Sequence, residues 1–382
     1  MRILNVNMSI DPVMGGGTAE RTVQMSRFLT KAGMECTILT IDIGLSQERL
    51  ESLEGTRIVA LPCLHKRFYI PRFTNREIRN LIEEADIIHL MGHWTFINSL
   101  VHHFAVPLKK PYVVCPAGAL PVFGRSKLLK AVYNRVSGRR MIQGASAHIA
   151  VTPDEVSQFQ QYGVDPDKVT VIPNGIDDAN YQSRDNEGFR SRYGLKDHPF
   201  ILFLGRLNPI KGPDLLVEAF GCLKTRLQNH HLVLVGPDEG MLPALKEMAR
   251  AKRIEDRIHF TGYLGGTDKS NACHAADLLV IPSRQEAMSI VVLEAGISGI
   301  PVVMTDRCGF HDIEDIEGGY IVPASTEGIK SGLLKMLQDP EKMGQMGRNL
   351  KTYVERHFLW DVIVHEYLDL YGRILGKAAT VL

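Results

Sequence analysis

Short runs of consecutive apolar residues recur along the chain, each followed by a longer amphipathic stretch. This alternation predicts parallel strands joined by crossover helices. The first unit reads as a strand over Ile3–Val6, a glycine-rich turn at Gly15-Gly16-Gly17, a helix from Thr18 to Lys31 closed by Gly33, and a strand over Cys36–Ile41. Further strands are predicted at Ile87–Leu90, Tyr112–Cys115, His148–Val151 and Val169–Ile172, all short and apolar on both faces, as in a buried parallel sheet. Pro173-Asn174-Gly175-Ile176-Asp177-Asp178 then carries strong turn chemistry, and the residues after it are polar and poorly periodic, which places a domain linker there. A second strand–helix series follows, with strands at Phe200–Leu204, Leu232–Val235, Ile258–Phe260, Leu278–Ile281 and Pro301–Met304. The expectation is two tandem doubly wound α/β domains, 1–178 and 179–357. Such domains bind ligands at the carboxyl ends of their strands, so a cleft between the two is the expected site. The tail from Met343 to Leu375 reads as helix, and its positions Tyr353, Phe358, Trp360, Val364, Tyr367, Leu368 and Tyr371 require something to pack against.

Composition narrows the function. The length of 382 residues exceeds what one core usually supports, in keeping with two domains. A net charge of +1 with 7% aromatic residues fits neither a nucleic-acid-binding polycation nor an acidic disordered chain. The six cysteines are scattered without a Cys-x-x-Cys pair, which points to a reducing compartment and away from a zinc site. The start, Met1-Arg2-Ile3-Leu4-Asn5-Val6-Asn7, turns polar too soon for a signal peptide, and no apolar run approaches the about 20 residues of a membrane span. A cytoplasmic protein is expected.

Two constellations carry chemistry. Glu286-Ala287-Met288-Ser289-Ile290 through Glu294-Ala295, then Gly299-Ile300-Pro301-Val302, follows a strand and enters a helix. Glu286 therefore falls in a strand-to-helix loop, where a carboxylate can accept hydrogen bonds from sugar hydroxyls while amides at the helix start hold phosphate. Glu294 lies about two turns deeper among apolar residues and needs a partner, because an unpaired buried charge is expensive. The plainer reading makes Glu286 a first-turn helix acid and Glu294 a structural ion. The second constellation, Leu204-Gly205-Arg206-Leu207-Asn208-Pro209-Ile210-Lys211-Gly212, ends the second series' first strand. Gly205 permits close backbone approach, and Arg206 and Lys211 supply two cations suited to a diphosphate.

Gly205-Arg206-Leu207-x4-Gly212 with its Lys211, Pro173-Asn174-Gly175-Ile176-Asp177, and Glu286-x7-Glu294-Ala295-x3-Gly299-x-Pro301-Val302 resemble the family-four (group 1) retaining glycosyltransferases of GT-B fold, over nearly the whole chain. The resemblance implies a nucleoside-diphosphate-sugar donor held mainly by the C-terminal domain and an acceptor held mainly by the N-terminal domain. It implies no metal or other cofactor, and a terminal helix, about 358–382, returning to the first domain. Position by position, Arg206 and Lys211 resemble the diphosphate clamp, Glu286 the donor-sugar carboxylate, and Met288, Ser289 and Ile290 the loop whose amides face sugar and phosphate. Glu294 resembles the residue that binds the ribose hydroxyls, while Gly16 and Gly17 match the glycine-rich first loop. Stacking positions near Tyr263 suit uracil, guanine or adenine, with a UDP-sugar or GDP-sugar as the expected donor. That first loop, Gly15-Gly16-Gly17-Thr18-Ala19-Glu20, is neither a dinucleotide fingerprint nor a P-loop.

Departures from the family pattern bear on the acceptor side. Pro116-Ala117-Gly118 stands where many members carry a His or Arg, leaving Ala117 and Gly118 as candidate sugar or acceptor contacts. His93, in His89-Leu90-Met91-Gly92-His93-Trp94, is a candidate substitute, although a lone His at a strand end is more often structural. Asp165-Pro166-Asp167 reads as a turn. No acidic residue occurs between Asp86 and Asp154, whereas Lys109, Lys110, Arg125, Lys127, Lys130, Arg135, Arg139 and Arg140 all fall there. Leu128, Leu129, Val132 and Tyr133 lie among these cations, so 125–140 reads as an amphipathic helix that either contacts an anionic membrane or grips a pyrophosphate-linked acceptor. The alternative is that its apolar side chains pack on the core.

The expected function is retaining, metal-independent transfer of a hexose to an acceptor hydroxyl of a lipid-linked or surface-polysaccharide glycan, such as lipopolysaccharide or exopolysaccharide, at the inner face of the cell membrane. Front-face attack, with the leaving phosphate taking the acceptor proton, is favoured over Glu286 as a covalent nucleophile. A nucleotide-sugar 2-epimerase or hydrolase on the same fold, or a catalytically weak nucleotide-sugar-binding subunit, are the alternatives.

Overall fold

A computed structural model describes residues 1–122 and 126–376. The chain divides into two compact units, Met1–Gly175 with Trp360–Leu382, and Ile176–Leu359.

The first unit holds strands β1 (Arg2–Val6), β2 (Glu35–Ile41), β3 (Arg57–Leu61), β4 (Cys63–His65), β5 (Ile70–Pro71), β6 (Ile87–Met91), β7 (Tyr112–Cys115), β8 (Ala147–Ala150) and β9 (Val169–Val171). Seven of them form one parallel sheet in the order β3-β2-β1-β6-β7-β8-β9. β4 and β5 form a separate antiparallel pair. The second unit holds β10 (Phe200–Leu204), β11 (His231–Val235), β12 (Ile258–Gly262), β13 (Leu278–Ile281), β14 (Val302–Thr305) and β15 (Gly319–Val322), in the parallel order β12-β11-β10-β13-β14-β15. Helices cover each sheet, and the strands between them are almost wholly buried: Leu4, Val6, Ile88, Leu90 and Val114 in the first core, Ile201, Phe203, Leu232, Leu234 and Val280 in the second. In both sheets the strand order reverses beside the first strand, between β1 and β6 and between β10 and β13, which creates the crevice where open α/β sheets bind ligands.

β3, β4, β5 and β15 were not anticipated. β3 and β15 are the edge strands of their sheets and open on an exposed arginine and a glycine, while β4 and β5 are only three and two residues long.

The tail read as helix from Met343 to Leu375 is two helices, Pro340–His357 and Trp360–Ile374, and the second is the terminal helix expected over about 358–382, of which 377–382 lie outside the described residues. Phe358 leaves helical geometry (φ −126°, ψ 8°), and Leu359 pairs as a β-bridge with Ile176, whose amide donates to the Phe358 carbonyl at 2.7 Å. The aromatic positions of the tail divide accordingly. Phe358 packs on Phe310 and Tyr353 in the second unit, with ring centroids 5.4 and 5.7 Å away, while Trp360 stacks near Phe28 and Tyr367 in the first.

The Pro-Asn-Gly-Ile-Asp segment has a specific packing role in the first unit. A Cβ on Gly175 would come within 2.8 Å of the Trp360 indole, so only glycine fits. Asn174 Oδ1 accepts from Arg21 at 2.7 Å. Arg21, on helix Gly16–Lys31 and 1% exposed, also donates to the Ile172 carbonyl (2.7 Å) and to the Tyr367 hydroxyl (2.6 Å). One buried guanidinium thus ties the first helix, the end of the sheet and the returning helix together.

Candidate active site

The second unit's switch point is lined by two loops, one after β10 and one after β13. In the first, Gly205 takes φ +155° and its amide donates to the Val235 carbonyl at 2.9 Å. The Lys211 amide donates to Asn208 Oδ1 at 2.9 Å, closing the turn before helix Pro213–Cys222. Glu239 braces the loop by accepting from Arg206 (2.8 Å) and from Asn208 (2.6 Å). Arg206 is thus ion-paired on a half-exposed rim, while the Lys211 ammonium lies 3.0 Å from Glu286 Oε2.

Glu286 lies four residues ahead of the helix that starts at Ile290, so it is a loop residue and not a first-turn helix acid. Its side chain is only 9% exposed and takes a hydrogen bond from the Ser283 hydroxyl besides the lysine. The Thr305 hydroxyl in turn donates to the Ser283 carbonyl, which fixes the strand end that carries the serine. The expectation that the loop amides face a ligand is corrected in part: the Glu286 amide donates to the Arg307 carbonyl (2.8 Å) and the Ser289 amide to the Cys308 carbonyl (3.0 Å). Gly309, at φ +63°, makes this contact possible, since a Cβ there would overlap the Ala287 carbonyl at 1.6 Å. Met288 and Ser289 are buried, and the Ser289 hydroxyl is enclosed without a hydrogen-bond partner. At the helix start the Val292 amide donates back to the Ser289 carbonyl at 3.3 Å, which leaves the Ile290 and Val291 amides as those without an intrahelical acceptor.

Because the helix begins at Ile290, Glu294 stands one turn inside it and not two. It has the partners its burial demands: Oε1 accepts from the Tyr181 hydroxyl and from the Lys269 ammonium, each at 2.7 Å. Burial and the adjacent carboxylate hold the Tyr181 hydroxyl far above its usual pKa, so it stays a donor. Sequence reasoning missed both partners, because Tyr181 lies in the aperiodic stretch after Asp177 and Lys269 in an ordinary helix. Tyr263, after β12, is 48% exposed with its ring beside Gly265.

In the first unit Gly16, at φ +55°, and Gly17 open the helix that follows the β1 loop. Ala117 (φ +49°) and Gly118 (φ +83°) form a left-handed turn after β7, held by Glu155, whose carboxylate accepts from the Gly118 amide and from the Val151 amide (2.6 Å). His93 is 1% exposed: Nε2 pairs with Asn134 Oδ1 at 2.9 Å, and the rings of Trp94, Tyr133 and Tyr162 meet it edge-on. Its imidazole is therefore enclosed and not presented to a ligand. Asp165 caps the short turn Pro166–Lys168 through the Asp167 amide. Among the described residues no group of three or more His, Cys, Asp or Glu side chains could hold a metal ion, and no helix is long and apolar enough to cross a membrane.

Burial pushes His89 down to about 3, helped by the charge of Arg21, and His93 down to about 4. Both rings are thus neutral in the folded chain yet protonate near 6.5 once unfolded. Their contribution to stability is full above pH 6.5 and falls as the pH drops toward those values, by about 1.4 kcal/mol per group per pH unit. Thermal melts at pH 7 and pH 5 should show the first unit losing several degrees at the lower pH. A flat profile would refute this picture of the two rings.

Two family models match the chain, Glycosyltransferase Family 4 over residues 15–180 and Glycosyl transferases group 1 over residues 185–353. The chain belongs to this glycosyltransferase family, and its two Rossmann-like units are those of the GT-B fold. A D-inositol 3-phosphate glycosyltransferase of Gordonia bronchialis is 30% identical over 64% of this chain, and the match spans 56% of that relative's length. An uncharacterized glycosyltransferase of Methanocaldococcus jannaschii is 26% identical over 97% of this chain and 98% of its own. Among solved structures, Anabaena HepE in complex with UDP and glucose superposes with a TM-score of 0.79 at 19% identity, covering 98% of this chain and 100% of that one. WaaG, a glycosyltransferase involved in lipopolysaccharide biosynthesis, gives 0.71 at 22% identity, covering 98% and 100%.

Proposed function

We propose that this chain transfers a hexose from a nucleoside-diphosphate sugar to an acceptor hydroxyl with retention and without a metal ion. The observation that carries the reading is the Lys211–Glu286 pair, 3.0 Å apart on the loops that follow β10 and β13 at the switch point. Lys211, with Arg206 on the rim, neutralises charge building on the leaving diphosphate, and the amides opening helix Ile290–Ser298 favour the same anion. Glu286 accepts from donor-sugar hydroxyls, and Glu294, with both protein bonds on Oε1, keeps Oε2 for the ribose hydroxyls. Tyr263 stacks on the base. The bond between the anomeric carbon and phosphate oxygen breaks while the acceptor oxygen bonds to the same face, and the acceptor proton passes to the departing phosphate.

The first unit holds the acceptor beside Gly16, Gly17, Ala117 and Gly118. A lipid-linked or surface-polysaccharide glycan is the acceptor class we favour, with the enzyme peripheral on the inner face of the membrane. The names of the inositol-phosphate relatives make inositol 3-phosphate a second acceptor to try.

A melting panel of UDP-, GDP- and ADP-sugars tests the donor, with UDP-glucose first because HepE has been crystallised with UDP-glucose. Ligand at a hundred times its Kd should raise the melting temperature by about 5–10 °C. No shift from any donor, with the protein folded, would reject the reading.

A further inference from the structure

The segment after residue 125 is packed the wrong way round for a core helix. Helix Lys127–Tyr133 runs into a π-helical turn, Asn134–Gly138, and then into helix Arg139–Gln143. Its polar side chains face the protein. The Tyr133 hydroxyl donates to the His93 carbonyl (2.7 Å) and accepts from Ser99 (2.9 Å), Asn134 bonds His93 and Tyr162 (2.9 Å each), and Ser137 bonds Ser99 (3.1 Å). Its apolar side chains face outward: Leu128 is 81% exposed, Val136 67%, Leu129 54% and Val132 51%. The expected alternative, in which these residues pack on the core, is thereby corrected.

Residues 128, 132 and 136 form one outward row. Each four-residue step overshoots a regular helical turn by about 40°, and the wider π turn brings the row back into line. Around the row, Lys127, Arg135, Arg139 and Arg140 are exposed, and Lys130 lies over the Trp94 ring. The stretch from Ile87 to Pro153 contains no Asp or Glu. Arg125, counted with these cations in the sequence, lies outside the described residues. A row of Leu and Val ringed by exposed cations matches a surface that is apolar below a layer of fixed negative charge, which describes an anionic lipid bilayer.

We propose that residues 126–140 dock the chain onto an anionic bilayer, with Leu128, Leu129, Val132 and Val136 entering the acyl boundary and Lys127, Arg135 and Arg140 at the phosphates. This contact stands apart from the donor chemistry. The test is co-sedimentation of the full chain with phosphatidylcholine vesicles, with and without phosphatidylglycerol. Binding is expected only with phosphatidylglycerol and should weaken as salt rises. Leu128→Asp with Val136→Asp should abolish it while leaving the melting temperature and any donor-induced shift intact, since both side chains are already exposed. Lys127→Gln with Arg135→Gln should weaken it by about 25-fold, roughly fivefold per cation. Wild-type protein that fails to sediment, or sediments equally with the aspartate variant, would overturn the proposal. So would a wild-type dimer made monomeric by the aspartates without vesicle binding, which would give the patch to a second copy.

Discussion

Lys211→Ala is expected to lower kcat by about 10²- to 10³-fold, the loss seen when one preorganised group that stabilises developing charge is removed, worth about 2.7–4 kcal/mol of barrier. The loop should survive the change, because its shape depends on backbone contacts: the residue 211 amide still reaches Asn208 Oδ1, and Glu239 still braces Asn208 and Arg206. Glu286 keeps the Ser283 hydroxyl but loses its cation, for about 1–3 kcal/mol of stability. The diagnostic pattern is therefore a large fall in turnover at saturating donor with a modest fall in melting temperature. Lys211→Arg should retain more activity than alanine, since it keeps the charge but changes its geometry. If the alanine variant turns over at the wild-type rate, the Lys211–Glu286 pair is structural and the proposed donor site fails.

Arg21→Ala should be the most damaging single change to stability in the first unit, at about 3–5 kcal/mol. It removes a buried guanidinium and takes the donor away from three buried acceptors, Asn174 Oδ1, the Ile172 carbonyl and the Tyr367 hydroxyl. A unit of this size should melt about 10 °C lower. Arg21→Met refills much of the volume without the hydrogen bonds, so its difference from alanine separates packing from polar satisfaction. Denaturant unfolding that leaves Arg21→Ala within about 1 kcal/mol of wild type would show that water replaces the guanidinium.

Interior strands announce themselves by uninterrupted apolar runs, and so Tyr112–Cys115, Phe200–Leu204 and Leu278–Ile281 coincide with their predicted bounds; the edge strands that open on Arg57 and Gly319 carry similar runs, Ile58–Leu61 and Tyr320–Val322, and only their pairing with a neighbour marks them as strands. Periodicity alone runs on through Phe358, where the family resemblance begins a separate terminal helix; the bridge from Leu359 to Ile176 is what interrupts the helix there. Glu286 and Lys211 were legible because their loops sit at fixed distances after apolar strands. Their mutual contact was not, nor were the Tyr181 and Lys269 bonds to Glu294, since these join residues 75, 113 and 25 positions apart.

By itself, then, the sequence determined the alternating architecture, the family and the loops that carry charge, because strand burial, turn chemistry and short motifs are local properties. Tertiary structure alone decided which charges pair, that His93 is enclosed, that Arg21 organises the first unit, and that the apolar row from Leu128 to Val136 faces outward. An amphipathic helix has the same pattern whichever face it buries, and only the polar contacts of Tyr133, Asn134 and Ser137 with the body of the protein choose between them.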